Sequence, residues 1–364
     1  MVSHALLTLL TALGVLGVGA TLLPYSGSKA WWVRIWDFPR PQVAAANAVA
    51  LLGLVALRGV PDAWSAGFIA LLAACILWQA RRILPYTWLW RRQMVRAKGP
   101  PGERTVSILV VNVLMTNRRL DGLLASFAAT DPDLVLAVET DPWWTEELSR
   151  ALPEHRFRVP YPLDNTYGIT LLSRLELERP VVRFLLTREI PSIRARVRLR
   201  SGEPILLYAL HPEPPSPTEA ESSLERDAEL VLVGREIAAS PEPAIVAGDL
   251  NDVAWSHTSR LFQRLSGLLD PRIGRGLYST FHARWPGLRW PLDHVFASRE
   301  FLLRDIRRLP GFGSDHFPIL AVFDHVPTPP PDNAPPQAEP LDHIEAHWTL
   351  RKAGARAATP RPPG

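Results

Sequence analysis

Three long uncharged runs open the chain, covering Ala5 to Leu23, Pro41 to Leu57 and Ala63 to Ala80. None has a polar face, so each predicts a helix that is apolar all round and belongs in lipid. A helix needs about 20 apolar residues to cross a bilayer core, with about 17 as the lower limit. The first and third runs clear that length comfortably, and the second sits at the limit. Between the last two runs, Arg58-Gly-Val-Pro-Asp62 predicts the tight turn of a helical hairpin. The leading residues MVSH contain no Lys or Arg, and two further apolar runs follow, so the first run reads as an uncleaved span and not a signal peptide. After the third run, residues 81–98 interleave Tyr86, Trp88 and Trp90 with Arg81, Arg82, Arg91, Arg92, Arg96 and Lys98. Aromatics mixed with cations suit the headgroup zone. The simplest role is a flanking anchor, with a specific lipid site as the alternative.

Beyond residue 103 the pattern shortens. Compact apolar runs predict strands at Val106–Val113, Leu134–Val138, Ile169–Leu172, Ile193–Leu199, Ile205–Leu210, Ala244–Ala247, Asp293–Ala297 and Ile319–Phe323. Helical spacing predicts helices over Arg119–Thr130, through Leu120, Leu123, Leu124 and Phe127, and over Glu219–Ala239. One α/β domain over 103–325 results. From residue 326 the chain is rich in Pro, Ala and charges of both signs, which predicts a disordered tail. Within it, His343, His347 and Trp348 mark a candidate short docking helix.

Charge changes the picture by region. Residues 1–100 hold 10 basic and 2 acidic residues, whereas 101–325 hold 26 basic and 30 acidic. The α/β domain is therefore mildly acidic, which argues against a dedicated high-affinity DNA binder. Arg183 and Arg188 stand near Arg194, Arg196, Arg198 and Arg200, which alternate and so share one face of a strand. They predict a charged, solvated sheet edge, with a phosphate-rich or membrane-facing strip as the alternative. The single cysteine, Cys75, excludes an internal disulfide and a cysteine-based zinc site. Nine short-loop cations flank 24–40 and the exit of the third run, against Arg58 on the other side. By the positive-inside rule everything after residue 80 is cytoplasmic.

Residues able to do chemistry stand where the predicted strands stop: Asn112, Glu139, His211, Asp249, Asn251, Asp293, Asp315 and His316. A side chain there is held by a rigid sheet yet open to a substrate. Gly248-Asp249-Leu250-Asn251 and Ser314-Asp315-His316 each read equally well as turns when taken alone. Trp143-Trp144 after Glu139 fits either core packing or a platform against a substrate ring or lipid chain. His155, His257, His282, His294, His325, His343 and His347 match no metal-ligand spacing, and strand alternation turns His294 away from Asp293.

The series Asn112, Glu139, Tyr167-Gly168 with Leu171-Leu172-Ser173-Arg174, His211, GDLN, LDHVF and SDH, in that order, resembles the endonuclease/exonuclease/phosphatase superfamily. The three apolar runs, His211-Pro212, Ala254-Trp255-Ser256 and Gly313-Ser314-Asp315-His316 resemble its bacterial membrane-anchored branch. The resemblance implies a four-layer α/β sandwich of the deoxyribonuclease-I-like type, with two mostly antiparallel sheets face to face. It implies Glu139 as the principal Mg²⁺ carboxylate, with Asn112 and Asp315 near the ion. It further implies Asp249 as the acid that deprotonates water, Asn251 as the amide on a phosphoryl oxygen, His316 facing the scissile phosphate with Asp293 fixing its tautomer, and His211 as a second histidine. An all-oxygen donor set favours Mg²⁺, with Mn²⁺ as substitute. The branch also implies an extracytoplasmic catalytic face, opposite to the charge count.

A membrane-anchored Mg²⁺-dependent phosphoesterase is the expected function, with the lipid bilayer as partner and a lipid-linked phosphate or diphosphate as substrate. A nuclease or nucleotide phosphodiesterase using the same site is the alternative. A catalytically silent membrane scaffold is the expectation from another class.

Overall fold

The computed structural model of the protein describes residues 2–58 and 62–357. The expected turn at 59–61 and the last residues of the expected disordered tail lie outside the described residues. Helices α1 (Val2–Leu22), α3 (Arg40–Arg58) and α4 (Ala63–Ile83) are long and apolar enough to cross a membrane. Leu10, Ala50, Leu54 and Leu72 fill the space between them, while Leu9, Leu16, Leu52 and Leu77 face outward. Polar groups in the bundle find one another. Asn47 Nδ2 reaches Thr21 Oγ1 at 3.4 Å, and Gln79 Nε2 reaches the same oxygen at 3.2 Å. Gln79 Oε1 in turn accepts from Arg40 at 2.9 Å.

The segment between α1 and α3, which includes the helical turn α2 (Trp31–Arg34), is built into the α/β domain. Trp31 N donates to Glu221 O at 2.9 Å, Lys29 Nζ meets Asp227 at 2.9 Å, and Trp255 Nε1 donates to Asp37 O at 2.8 Å. Asp37 is buried between Arg34 and Arg40 and fixes the shape of this segment.

Among the described residues, eleven strands make two sheets packed face to face. In chain order they are β1 (Thr105–Asn112), β2 (Leu134–Val138), β3 (Phe157–Tyr161), β4 (Ile169–Ser173), β5 (Leu177–Arg183), β6 (Ser192–Arg198), β7 (Pro204–Ala209), β8 (Ala244–Asp249), β9 (Asp293–Ala297), β10 (Phe301–Arg308) and β11 (Ile319–His325). The sheets run β10-β11-β1-β2-β4-β3 and β5-β6-β7-β8-β9. Among the strands of the described residues, only β1–β2 and β7–β8 pair in parallel. The core between the sheets is aliphatic, with Ile108, Val110, Leu136 and Leu171 facing Ile193, Leu207, Ile245 and Val295. Helices α5 (Asp121–Thr130) and α6 (Pro142–Ala151) cover one outer face, and α7 (Leu224–Ala238) and α8 (His257–Ser266) cover the other. This is the four-layer α/β sandwich.

Several expectations need correction. Strands β3, β5 and β10 were not expected. Each is an edge strand with mixed burial, so no compact apolar run marks it. The arginine strip is not a sheet edge, because β6 lies between β5 and β7. Its cations are spent on neighbours: Arg194 on Glu236 at 3.0 Å, Arg196 on Glu242 and Glu178, and Arg198 on Glu178. The second helix starts at Leu224, not Glu219, because the proline-rich loop runs on to Ser222, whose Oγ accepts from Leu224 N at 3.1 Å. The tail is ordered over α9 (Pro340–Ala357). Ala346, Leu350 and Ala353 form a narrow apolar stripe on α7 and α8, and Asp342 pairs with Arg264 at 2.8 Å. That stripe is thin enough to vanish in a composition dominated by charge and proline.

Glu229 of α7 is fully buried, and burial pushes its carboxyl up to about 8, with Arg183 only partly opposing. An acid raised on folding keeps its proton in the folded state while the unfolded chain ionises. Stability is therefore full below the ordinary carboxyl range and falls as pH rises toward 8. Urea unfolding of the full chain in detergent between pH 5 and pH 8 should show this decline, at up to about 1.4 kcal/mol per pH unit. Glu229→Gln should flatten the profile, and an unchanged slope would contradict the assignment.

Candidate active site

The two parallel pairs place polar strand ends at one end of the sandwich. Asn112 closes β1 beside Val138, and Glu139 follows directly on β2. Across the sandwich, Asp249 closes β8 opposite Asp293 at the start of β9. The amide of Asn112 joins the sheets, its Nδ2 donating to Glu139 Oε1 at 2.7 Å and to Asp249 Oδ2 at 3.1 Å. Its Oδ1 accepts from Leu114 N at 2.9 Å, which fixes the amide's orientation.

Local backbone aims these groups. Gly248 has φ +147°, and a Cβ there would lie 1.8 Å from Leu210 O, so glycine alone fits before Asp249. Asn251 takes φ +50°, a left-handed conformation that asparagine tolerates. Its N–H donates to Asp249 Oδ1 at 3.0 Å, and its Nδ2 to Pro212 O at 2.9 Å. Arg226 holds the turn from behind by donating to Asn251 O at 2.7 Å.

His316 sits between two carboxylates. Its Nδ1 lies 2.8 Å from Asp293 Oδ2, and its Nε2 lies 3.5 Å from Asp249 Oδ2. Ser314 Oγ donates to Asn112 O at 2.8 Å and accepts from His316 N at 3.0 Å, tying the last motif to the end of β1. Burial alone would lower the His316 imidazole, but Asp293 and Asp249 outweigh it and raise the group to about 10. Burial raises the Glu139 carboxyl to about 7, against the Asn112 hydrogen bond that favours its charged form. His211 goes the other way: burial lowers it to about 4, so it is neutral near pH 7. Its ring lies 5.7 Å from that of Tyr167, whose hydroxyl bonds Glu219.

Above these groups opens a cleft of about 770 Å³. Glu139, His211, Asp249, Asn251, Asp315 and His316 line its polar end. Asn112, Glu139, Asp249, Asp293 and His316 thus form one bonded cluster, and Asn251 is tied to it through Asp249. His211 and Asp315 share the cleft without a hydrogen bond into that cluster among the described residues. His294 points away, between Arg272 at 2.7 Å and the Asp252 carbonyl at 2.9 Å. Trp144 is core, packed 6.4 Å from Phe312, and Trp143 lies under the Arg118 guanidinium at 4.7 Å. Neither tryptophan lines the cleft. Sequence patterns gave no sign of its other wall, formed by Ile35, Trp36, Phe38 and Pro39 from the segment after α1, with Phe281, Leu288 and Trp290. Those residues carry no motif, and only folding places them over the strand ends.

The donor set suits a hard divalent cation. Glu139 offers oxygen, Asp315 stands on the same rim, and burying Glu139 near Asp249 concentrates negative charge that a cation would offset. Asp249, Asp293 and His316 also approach within 4.8 Å of one another. Both nitrogens of His316 already face carboxylates, so this trio works better as a histidine held between acids than as a cation cage.

A sequence model of the Endonuclease/Exonuclease/phosphatase family matches residues 109–316, which span the entire bonded cluster. The chain belongs to that family. It is a hydrolase acting on phosphoester bonds, in a family generally dependent on a divalent metal. None of the curated proteins matches it by sequence. Among solved structures, it is similar to a humanized D. rerio TDP2 carrying 14 mutations (19% identity, 61% of this chain and 99% of that one, TM-score 0.50). D. rerio TDP2 complexed with a single-strand DNA product gives 19%, 60%, 99% and 0.50. The human Nocturnin catalytic domain with a bound sulfate anion gives 15%, 66%, 99% and 0.51. These likenesses are of fold.

Gly248→Ala should force β8 away from Leu210 and displace Asp249. The expected cost is at least about 2 kcal/mol in unfolding free energy, measured by denaturant melts of the full chain. A variant as stable as the parent would mean that this turn is not a fixed support.

Proposed function

We propose that the protein is a membrane-anchored, Mg²⁺-dependent phosphoesterase that hydrolyses a lipid-linked phosphate ester or diphosphate. The observation that carries this is the cleft's two ends. Asp249, His316 and Glu139 stand at one, and an apolar wall contributed by the segment joining two spans stands at the other. Gln42 of α3 donates to Gly287 O at 2.8 Å, so the loop bearing Leu288 and Trp290 also touches the anchor. A phosphate carried on an apolar chain matches that division.

Glu139 would hold the cation, with Asn112 and Asp315 near it. When bound, the ion neutralises charge developing on the phosphoryl oxygens. Asp249 accepts the proton of the attacking water, and the Asn112 amide keeps its carboxylate in place. Asn251 uses one amide proton on Pro212 O and has the second free for a phosphoryl oxygen. His316, charged between its two acids, offers Nε2 toward the phosphate, while Asp293 holds Nδ1 and fixes the ring. Neutral His211 contacts a phosphate oxygen or assists the leaving oxygen.

The second reading is a nuclease, favoured by the fold shared with a TDP2 that holds single-strand DNA product. The acidic balance of 101–325 weighs against it. Full-length protein in detergent with Mg²⁺ should release phosphate from a polyprenyl diphosphate and leave plasmid and single-stranded DNA intact. Nicking without phosphate release would favour the nuclease, and neither activity would favour a silent scaffold. Asp249→Ala should lower turnover by about 10²–10⁴ while the unfolding midpoint holds. A variant that keeps more than about a tenth of the rate would remove Asp249 from that role. Glu139→Gln should raise the Mg²⁺ concentration for half-maximal rate more than about tenfold. An unchanged requirement would place the ion elsewhere.

A further inference from the structure

The last span enters the catalytic domain through a stretch dense in arginine. Helix α4 ends on Arg81 and Arg82, and the chain then passes α8 to enclose a second cleft of about 770 Å³. Arg81, Arg82, Arg91 and Arg92 line it from the span's exit, and Arg260 and Arg264 line it from α8. Asp332 is the acid on its lining. Arg264 is satisfied by both oxygens of Asp342 at 2.8 Å, and Arg91 makes a loose, exposed pair with Asp332 at 3.5 Å. Among the described residues no carboxylate pairs with Arg81, Arg92 or Arg260.

The excess charge continues past the cleft. Arg92 also lines a neighbouring hollow with Arg96 and Arg275. Burial lowers the Arg275 guanidinium to about 10, and Arg92 and Arg96 push it the same way. Asp305 lines that hollow too, but Arg307 takes it at 2.6 Å. Guanidinium groups that outnumber the acids beside them raise the local potential, and a bound anion relieves it.

Position narrows what that anion is. Arg82 lies 5.3 Å over the Trp78 ring and 5.8 Å over Tyr25, at the ends of two membrane-length helices. Trp88, Leu89 and Trp90 are exposed beside the cleft, and Trp90 lines it. Large apolar groups exposed beside a span's exit sit at headgroup depth, where phosphate is dense. This cleft shares no lining residue with the catalytic one. We propose that it is a binding site for the phosphate headgroup of an anionic phospholipid, clasped between the end of α4 and α8.

The test uses the full chain in nanodiscs of phosphatidylcholine with a minor share of cardiolipin, followed by native mass spectrometry of retained lipid. The wild type should retain cardiolipin over phosphatidylcholine. Arg92→Gln combined with Arg260→Gln should weaken that retention about thirtyfold, at roughly fivefold per arginine. The corresponding lysine pair should recover part of it, and Arg150→Gln, on a distant helix, should change nothing. Equal retention by wild type and the glutamine pair would overturn the site. Displacement of cardiolipin by inorganic phosphate at comparable concentration would also overturn it, and would leave a small-anion site. An unfolding midpoint measured in phosphatidylcholine alone guards against misfolding. If the pair is unstable, Arg81→Gln on the exposed end of α4 serves in its place.

Discussion

Glu139, Asp249 and Asp293 converge at the end of two sheets, and burying that much like charge sets the terms for the structure around it. Paired strand ends bring the acids together, since β1 with β2 and β8 with β9 stop at the same level. The cost is met by oriented groups. The Asn112 amide donates to two of the acids, and His316 stands between two. A lone buried carboxylate would take up a proton. Glu139, raised to about 7, is already part-way there, and a divalent cation held as proposed would relieve the same cost.

Holding such charges in register demands rigid supports, and these account for several otherwise odd residues. Gly248 lets β8 pass within contact of Leu210, Ser314 links the SDH turn to β1, and Arg226 props the Asn251 carbonyl. Arg226 is itself held by Asp227, which also takes Lys29 from the segment between α1 and α3. Burial would raise the Asp227 carboxyl, yet Lys29, Arg226 and Arg34 together hold it well below the usual range. The segment between α1 and α3 and the GDLN turn therefore share one ionic network.

How legible was this in the sequence? Interior strands were plain, because a strand buried on both faces leaves an unbroken apolar run, as in Val106–Val113 or Leu134–Val138. The edge strands β3, β5 and β10 were not, since exposed positions interrupt their runs. Polar residues at the ends of interior strands were visible one by one, yet each taken alone was indistinguishable from a turn. Order along the chain gave them meaning through resemblance, and the fold shows that several touch. Residues whose role arises from packing left no local signal. Trp36 and Phe38 read as loop, and of α9 only His343, His347 and Trp348 stood out, as a candidate docking helix inside a tail that otherwise read as disorder.

The proposed anchoring gives a physical meaning to a segment that joins two membrane-length helices and also lines the cleft. A flexible tether would raise local concentration near the bilayer but leave the cleft's orientation free. Here Asp37 is buried between Arg34 and Arg40, and its carbonyl accepts from Trp255, three residues beyond Asp252. Tyr86, just past the last span, donates to Ala254 O at 2.6 Å on the same loop. Two separate exits from the spans thus grip the residues following GDLN. The cleft mouth is held against the helices, so in the proposed membrane setting its apolar wall would meet lipid from one direction. The proposed lipid-linked substrate would then present its phosphate while its chain stays in the bilayer.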